Sequence, residues 1–467
     1  MRNNQLAPLL LLLATTTTTT VYAQTQSAPN QTNAAASPID SGDVAWILIA
    51  SAIVFLQIPG LGLYYAGLAE QKNALATMLS VMLGLAVVFV QWTLFGFTIS
   101  FSDKSSRIWI GDFAYYAMEN SIDTQNEIAT TIPNALLAMY QMMFAAITVG
   151  LALGGTAGRM KLFPTMVFVF LWTSLVYDPV AYWTWSNNGF LHKLGVMDYA
   201  GGSVVHITSG ITGGLLAAYL GKRVDYGKRD YENHNPTYVF IGTALLWFGW
   251  MGFNGGSAGG ANLRAVGAAF STNTAAAMGG LTWMALEKVF NKKKHSAIGF
   301  CSGVVVSLVG ITPGSGYVKP GVGLVFGIVT PIACFFAIRL MHTFRLDDSL
   351  DVFACHGVGG MVGMLLTGIF AQYSVTTIGV PSGASAGWIS GVWMQMPIQL
   401  AGIGVTAGWT FGVTSLIIGG MSVCGLRLRS QAEDEVDGLD VSEVGELAYP
   451  FVPVPVSGDT YSAQGWV

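Results

Sequence analysis

The sequence predicts an all-α polytopic membrane protein with eleven transmembrane helices, arranged as two inverted five-helix repeats plus a tilted eleventh helix. Three observations carry that prediction. Hydrophobic residues make up 52% of the 467 positions and charged residues only 10%, and mean hydropathy is strongly positive, a balance foreign to soluble globules. Apolar runs long enough to cross about 30 Å of hydrocarbon recur along the chain. A histidine-centred pattern occurs twice, 150 positions apart. The net charge of −4 gives no ground for nucleic-acid binding. Cys301, Cys334, Cys355 and Cys424 fall in or beside apolar runs with no CxxC or ligand spacing, so neither disulfides nor a metal site is expected. No cofactor is indicated.

Residues 1–23 show Arg2, an apolar core from Leu6 to Ala14 and Val21-Tyr22-Ala23, the pattern of a signal peptide whose core is too short to span a bilayer. Residues 24–43 form a polar segment, extracellular on this reading, in which Asn30-Gln31-Thr32 is a glycosylation acceptor. The membrane domain then runs from 44 to 429. Its apolar segments lie near 44–68, 75–100, 135–155, 162–184, 200–220, 237–255, 268–290, 297–312, 319–341, 352–372 and 393–426. The eighth is short. The halves span about 44–220 and 237–372, and the segment at 393–426 stands outside the repeat.

An outside N-terminus and an odd number of crossings put the C-terminus in the cytoplasm, and the charges agree. Lys72, Arg159, Lys161, Lys222, Arg223, Lys228, Arg229, Lys288, Lys292 to Lys294, Arg339, Arg345, Arg427 and Arg429 fall on the proposed inside, against Lys104, Arg107, Lys193, Arg264 and Lys319 outside. Basic loops mark the cytoplasmic face. Residues 430–467 make an acidic, turn-rich cytoplasmic tail. Glu433, Asp434 and Glu435 are expected to dock near Arg223, Lys228 and Lys293, and phosphorylation at Ser430, Ser442 or Ser457 to shift that docking.

Aligned on His206 and His356, both copies of the pattern carry Asp eight residues earlier (Asp198, Asp348), Gly at plus four and plus seven (Gly210 and Gly213, Gly360 and Gly363) and Leu-Leu at plus nine and ten. Positions i, i+4 and i+7 share a helix face, so each histidine lies beside glycines that admit a second helix. With five crossings per half, the histidine helices run in opposite directions, as inverted repeats of transporters do. An ionisable group inside the membrane is costly and marks function with a partner to be found. Each histidine is the other's predicted partner, both rings neutral and sharing one hydrogen bond.

Other candidates are open to two readings. Trp247 to Ser257 closes the sixth segment with aromatics flanking a hydroxyl, and Tyr140 and Phe144 stand at i and i+4 on the third. They are interfacial belt aromatics or, given the glycines around Phe253, a packed inward site. Asp198 and Asp348 suit helix capping, and Asp198, on the outside, also suits setting a local potential for a cation.

The segments Gly201–Gly214, Trp250–Asn262 and Asp347–Gly363, within residues 42–448, resemble the ammonium transporter, methylammonium permease and Rhesus superfamily, most of all its fungal-type permeases. The resemblance implies Trp185 and Ser257 as the outer cation site with Tyr140 beside it, Phe144 and Phe253 as a paired ring gate, and Asp198 below the outer vestibule. It implies His206 and His356 as twin histidines, of the subclass that keeps both. It further implies a homotrimer in the plasma membrane, with ammonium and methylammonium as substrates and lipid around it; a regulatory kinase would act on the serines of the tail.

Ammonium uptake follows from that resemblance: a cation bound outside, deprotonated, and passed as ammonia through an apolar pore with a histidine relay. A Rhesus-type electroneutral channel for ammonia or carbon dioxide, and an ammonium sensor with transport secondary, are the rivals. No HExxH, GxSxG or convergent carboxylates accompany the histidines, so no enzyme is expected and no residue is assigned to catalysis.

Overall fold

Apolar sequence can satisfy its backbone in a membrane only within helices or closed barrels, and the computed structural model takes the helical route. It describes residues 38–228, 231, 233–292, 294–379 and 385–449; the predicted signal peptide, Asn30, Lys293 and Ser457 lie outside them. The long helices are α1 (Ser41–Leu68), α2 (Ala74–Gln91), α3 (Asn134–Leu153), α4 (Leu162–Trp172), α5 (Asp178–Trp185), α6 (Thr208–Leu220), α7 (Pro236–Gly256), α8 (Leu263–Phe290), α9 (Ala297–Ile311), α10 (Gly323–Thr343), α11 (Gly359–Phe370) and α12 (Gln395–Val423).

Among the described residues, eight helical segments are long and apolar enough to cross a membrane, and α9 is an apolar helix of shorter length. Helices α7 and α8 also lie over predicted segments, but polar residues interrupt their apolar runs. Those residues bond each other: Asn254 Nδ2 donates to Thr272 Oγ1 at 2.8 Å and Trp247 Nε1 to Asn273 Oδ1 at 2.9 Å.

Caps set several boundaries. Asp40, Asn235, Asn262 and Ser296 each accept a backbone N–H of the first turn of α1, α7, α8 and α9, satisfying donors a helix start leaves open. Helix α12 packs along α6 and α11, held by Gln399, whose side chain accepts from Met197 N at 2.8 Å and donates to Met197 O at 2.8 Å.

Two features depart from the sequence reading. A short antiparallel hairpin, Gln125–Asn126 with Ala129–Pro133, precedes α3; its β-branched Thr130-Thr131-Ile132 favours strand, yet it is too brief for an alternating pattern. Five-residue-spaced helical turns also interrupt the ordinary geometry, at Trp92–Gly96 after α2, Thr173–Tyr177 between α4 and α5, Gly202–Ile207 before α6 and Phe353–Val358 before α11. Such π-turns frequent functional sites.

The tail docks, and Glu435 reaches the predicted Arg223 loop, its Oε2 accepting from Val224 N at 3.2 Å, but the other contacts go to partners that charge alone does not predict. Helices α2 and α4 have no side-chain cap of their own. Asp440 supplies one to α2, accepting from Leu75 N at 3.1 Å and Ala76 N at 2.8 Å, and Glu443 Oε2 accepts from Leu162 N at 2.9 Å at the start of α4. Lys72 Nζ donates to Glu435 O at 2.6 Å, while the Glu435 carboxylate pairs with Arg429 at 2.8 Å. The Arg223 side chain itself pairs with Asp347 at 2.5 Å rather than with the tail, and Lys228 donates to Val224 O at 3.1 Å.

Candidate functional site: a column of rings ending in two histidines

His206 and His356 each sit in a π-turn, immediately before α6 and α11. The wider turn displaces the following helix relative to the ring, a placement that ordinary helical spacing does not give. The glycine at plus four works as the repeat requires. A Cβ on Gly210 would collide with the backbone of Gly357, so the two histidine helices touch at main-chain distance. Nδ1 of His206 stands 3.3 Å from Nδ1 of His356, with ring centroids 5.4 Å apart. Both rings are buried, and His206 Nε2 takes no hydrogen bond.

A neutral imidazole carries one N–H. If one Nδ1 donates to the other, the donor ring keeps a bare Nε2 and the acceptor ring an Nε2–H. The pair therefore presents one acceptor and one donor at its two ends.

Above His206 the rings continue. Trp250 stacks on it at 5.8 Å and 20°, and Phe253 lies at 6.4 Å. Phe253 of α7 in turn stacks on Phe144 of α3 at 4.0 Å and 23°, and both are fully buried. Trp185, at the end of α5, meets Phe144 edge-on at 5.9 Å, and Tyr140 meets it at 4.9 Å. Ser257 caps the column: its Oγ donates to Phe253 O at 2.8 Å and lies 3.3 Å from the Tyr140 hydroxyl, which donates to Phe253 O at 2.7 Å. The structure thus brings Tyr140, Phe144, Trp185, Phe253, Ser257, His206 and His356 into one continuous column.

Asp198 stands to the side of the column. Its carboxylate accepts from Gly201 N, Gly202 N, Ser203 N, Ser203 Oγ and Val204 N at 2.5–3.3 Å, closing the first turn of the His206 helix. Its carbonyl accepts from Trp185 Nε1 at 3.0 Å. Asp198 thereby ties the tryptophan to the histidine helix, a capping role with a positional consequence.

Sequence reasoning missed Phe101, which stacks on Trp185 at 6.3 Å and 20°, and left Trp250 as a motif member without a partner. It also passed over the anchor beyond the histidines. Arg159 and Arg223 converge on Asp347, at 3.6 and 2.5 Å. Burial would raise the Asp347 carboxyl, but the hydrogen bonds and charge of Arg223 and the charge of Arg159 hold it below the usual range. Burial draws the Arg159 guanidinium down to about 10 against the pull of Asp347. Of the predicted phosphorylation sites, Ser442 is exposed and Ser430 is buried.

Comparison with known proteins places this architecture. A profile of the Ammonium Transporter Family matches residues 45–449. Ammonium transporter 1 of Schizosaccharomyces pombe is 43% identical over 434 residues, covering 91% of this chain and 87% of that one. Ammonium transporter MEP2 of Saccharomyces cerevisiae is 43% identical over 437 residues, with the same coverage of 91% and 87%. The crystal structure of Saccharomyces cerevisiae Mep2 superposes with a TM-score of 0.79 over 84% of this chain and 91% of that one.

Proposed function

This chain belongs to the Ammonium Transporter Family, and we propose that it carries ammonium inward across the plasma membrane by binding the cation outside, removing a proton and passing ammonia along the histidines. The observation that carries this reading is the unbroken ring column from Ser257 to His356. Eleven crossings, inverted halves, an extracellular N-terminus and a cytoplasmic tail form the frame of the proposal; in a homotrimer each subunit would hold one such conduit.

At the outer end, the faces of Trp185 and its neighbouring rings attract a small cation, and the Ser257 oxygen accepts one of its N–H groups. Ammonium and potassium are alike in size and charge; only ammonium donates hydrogen bonds. The Phe144–Phe253 stack closes the way inward. Past it a full charge costs several kcal/mol, which ammonium escapes by giving up a proton and potassium cannot. The histidine pair supplies the acceptor and donor nitrogens along which that proton follows.

Current evoked by ammonium, against potassium, in proteoliposomes on a solid-supported membrane tests the proposal. An ammonium current with no potassium current supports it. Ammonia flux without current favours the electroneutral channel instead.

A further inference from the structure

Asp198 and Asp348 occupy equivalent positions in the two halves, eight residues before their histidines, yet the structure uses them differently. Asp198 is saturated by the five donors of its helix start. Asp348 Oδ2 accepts from Phe353 N at 2.7 Å, whereas Asp348 Oδ1 is buried and takes no hydrogen bond. A buried carboxylate oxygen without a partner is costly and calls for a reason.

Asp348 is 7% exposed and lines a cavity of about 1030 Å³ that also reaches Tyr64, Arg223, His342, Asp351 and Cys355. Cys355 directly precedes His356 in the chain, so the cavity comes within one residue of the second histidine. Asp351 is joined to His342 at 3.3 Å. Arg159 and Arg223 form their ion pairs with Asp347, while Lys222, Arg339 and Arg345 also line the cavity. Among the described residues, Asp348 Oδ1 has no hydrogen bond and Asp348 joins no ion pair.

We propose that Asp348 is the inner exchange site of the conduit, where ammonia leaving the histidines regains a proton and is held as ammonium before release to the cytoplasm. The inference rests on the deprotonation reading above. In the step, the O–H bond of the Asp348 carboxylic acid breaks, the ammonia lone pair takes the proton as a new N–H bond, and a carboxylate–ammonium pair remains. The proton arriving along the histidines recharges the carboxylate. Burial, aided by the charge of Asp351, pushes the Asp348 carboxyl up to about 7, against the backbone N–H groups of Phe353 and Val352 and the charge of Arg159. Both protonation states are therefore populated near neutral pH, the condition for a group that exchanges protons.

Asp348→Asn tests this in proteoliposomes with the internal pH set independently. The asparagine carbonyl can still accept from Phe353 N, so a residue that only caps its helix would tolerate the change. The expected result is an ammonium current lower by about tenfold or more, within reach of what a positioned proton donor supplies, with unchanged apparent affinity on the outside. The response of current to internal pH near 7 should also disappear, and Asp348→Glu should restore part of both. Wild-type current with a wild-type pH profile in Asp348→Asn overturns the proposal. So does a flat internal-pH profile in the unmodified protein between about pH 6 and 8, a measurement that needs no variant to fold. Absence of any ammonium current in the unmodified protein overturns the transport reading itself, which separates the two failures.

Discussion

His206 and His356 face each other through like atoms, Nδ1 to Nδ1 at 3.3 Å, so the proton between them belongs to one ring and the lone pair to the other. His206→Asp replaces that arrangement with a carboxylate able to stabilise a whole cation. Potassium current, which the proposal expects to be absent from the unmodified protein, should then appear, and its persistent exclusion by this variant would contradict the selectivity ascribed to the pair.

The stack of Phe144 on Phe253, at 4.0 Å, is the narrowest ring contact of the column. Phe253→Ala leaves a cavity in a buried site, with an expected cost of about 3–5 kcal/mol. Thermal unfolding should show the loss of stability, and potassium leak through the same preparation should rise as the ring barrier opens. Unchanged leak in a folded variant would remove the gate assignment.

Asp347 holds Arg159 and Arg223 together. Asp347→Ala strands a buried guanidinium and should destabilise the protein by about 3–5 kcal/mol. Because the folded Asp347 carboxyl lies below its usual value, its stabilisation is complete above the unfolded value near about 4 and is lost as pH falls through the folded value. The acid limb of unfolding measured against pH should therefore be shallower in Asp347→Ala.

The tail acts as a cap for helices that lack their own. Asp440→Ala should weaken docking by about 1 kcal/mol, seen as faster hydrogen exchange at Leu75 and Ala76. A chain ending after Arg429 loses Asp440 and Glu443 together, and the account expects reduced uptake from it. Full, unregulated uptake by that chain would refute an activating role for the docked tail.

How much was legible in the sequence depended on whether the signal was periodic. The duplicated Asp, His and Gly spacing located His206 opposite His356 because a repeat fixes positions without knowledge of packing. The same spacing could not show that both histidines ride on π-turns, since an extra residue per turn leaves no mark on hydropathy. Nor could it separate Asp198 from Asp348: the sequence makes them equivalent, and only the number of donors around each distinguishes them. Phe101 went unread because its partner, Trp185, lies beyond α3 and α4 in the chain. For the tail, counting charges pointed to the Arg223 loop, which Glu435 reaches through Val224 N, and to Lys228, but Asp440 and Glu443 docked on uncapped helix starts, where backbone N–H groups outcompete a solvated lysine.

The most direct test is to record ammonium-evoked current and internal alkalinisation together in proteoliposomes carrying the double substitution His206→Ala and His356→Ala. Removing both imidazoles leaves a dry path and no relay, so the account predicts that current vanishes while a leak of neutral ammonia, read as alkalinisation, persists. Wild-type current with potassium still excluded, from a variant that is folded and inserted normally, would contradict it.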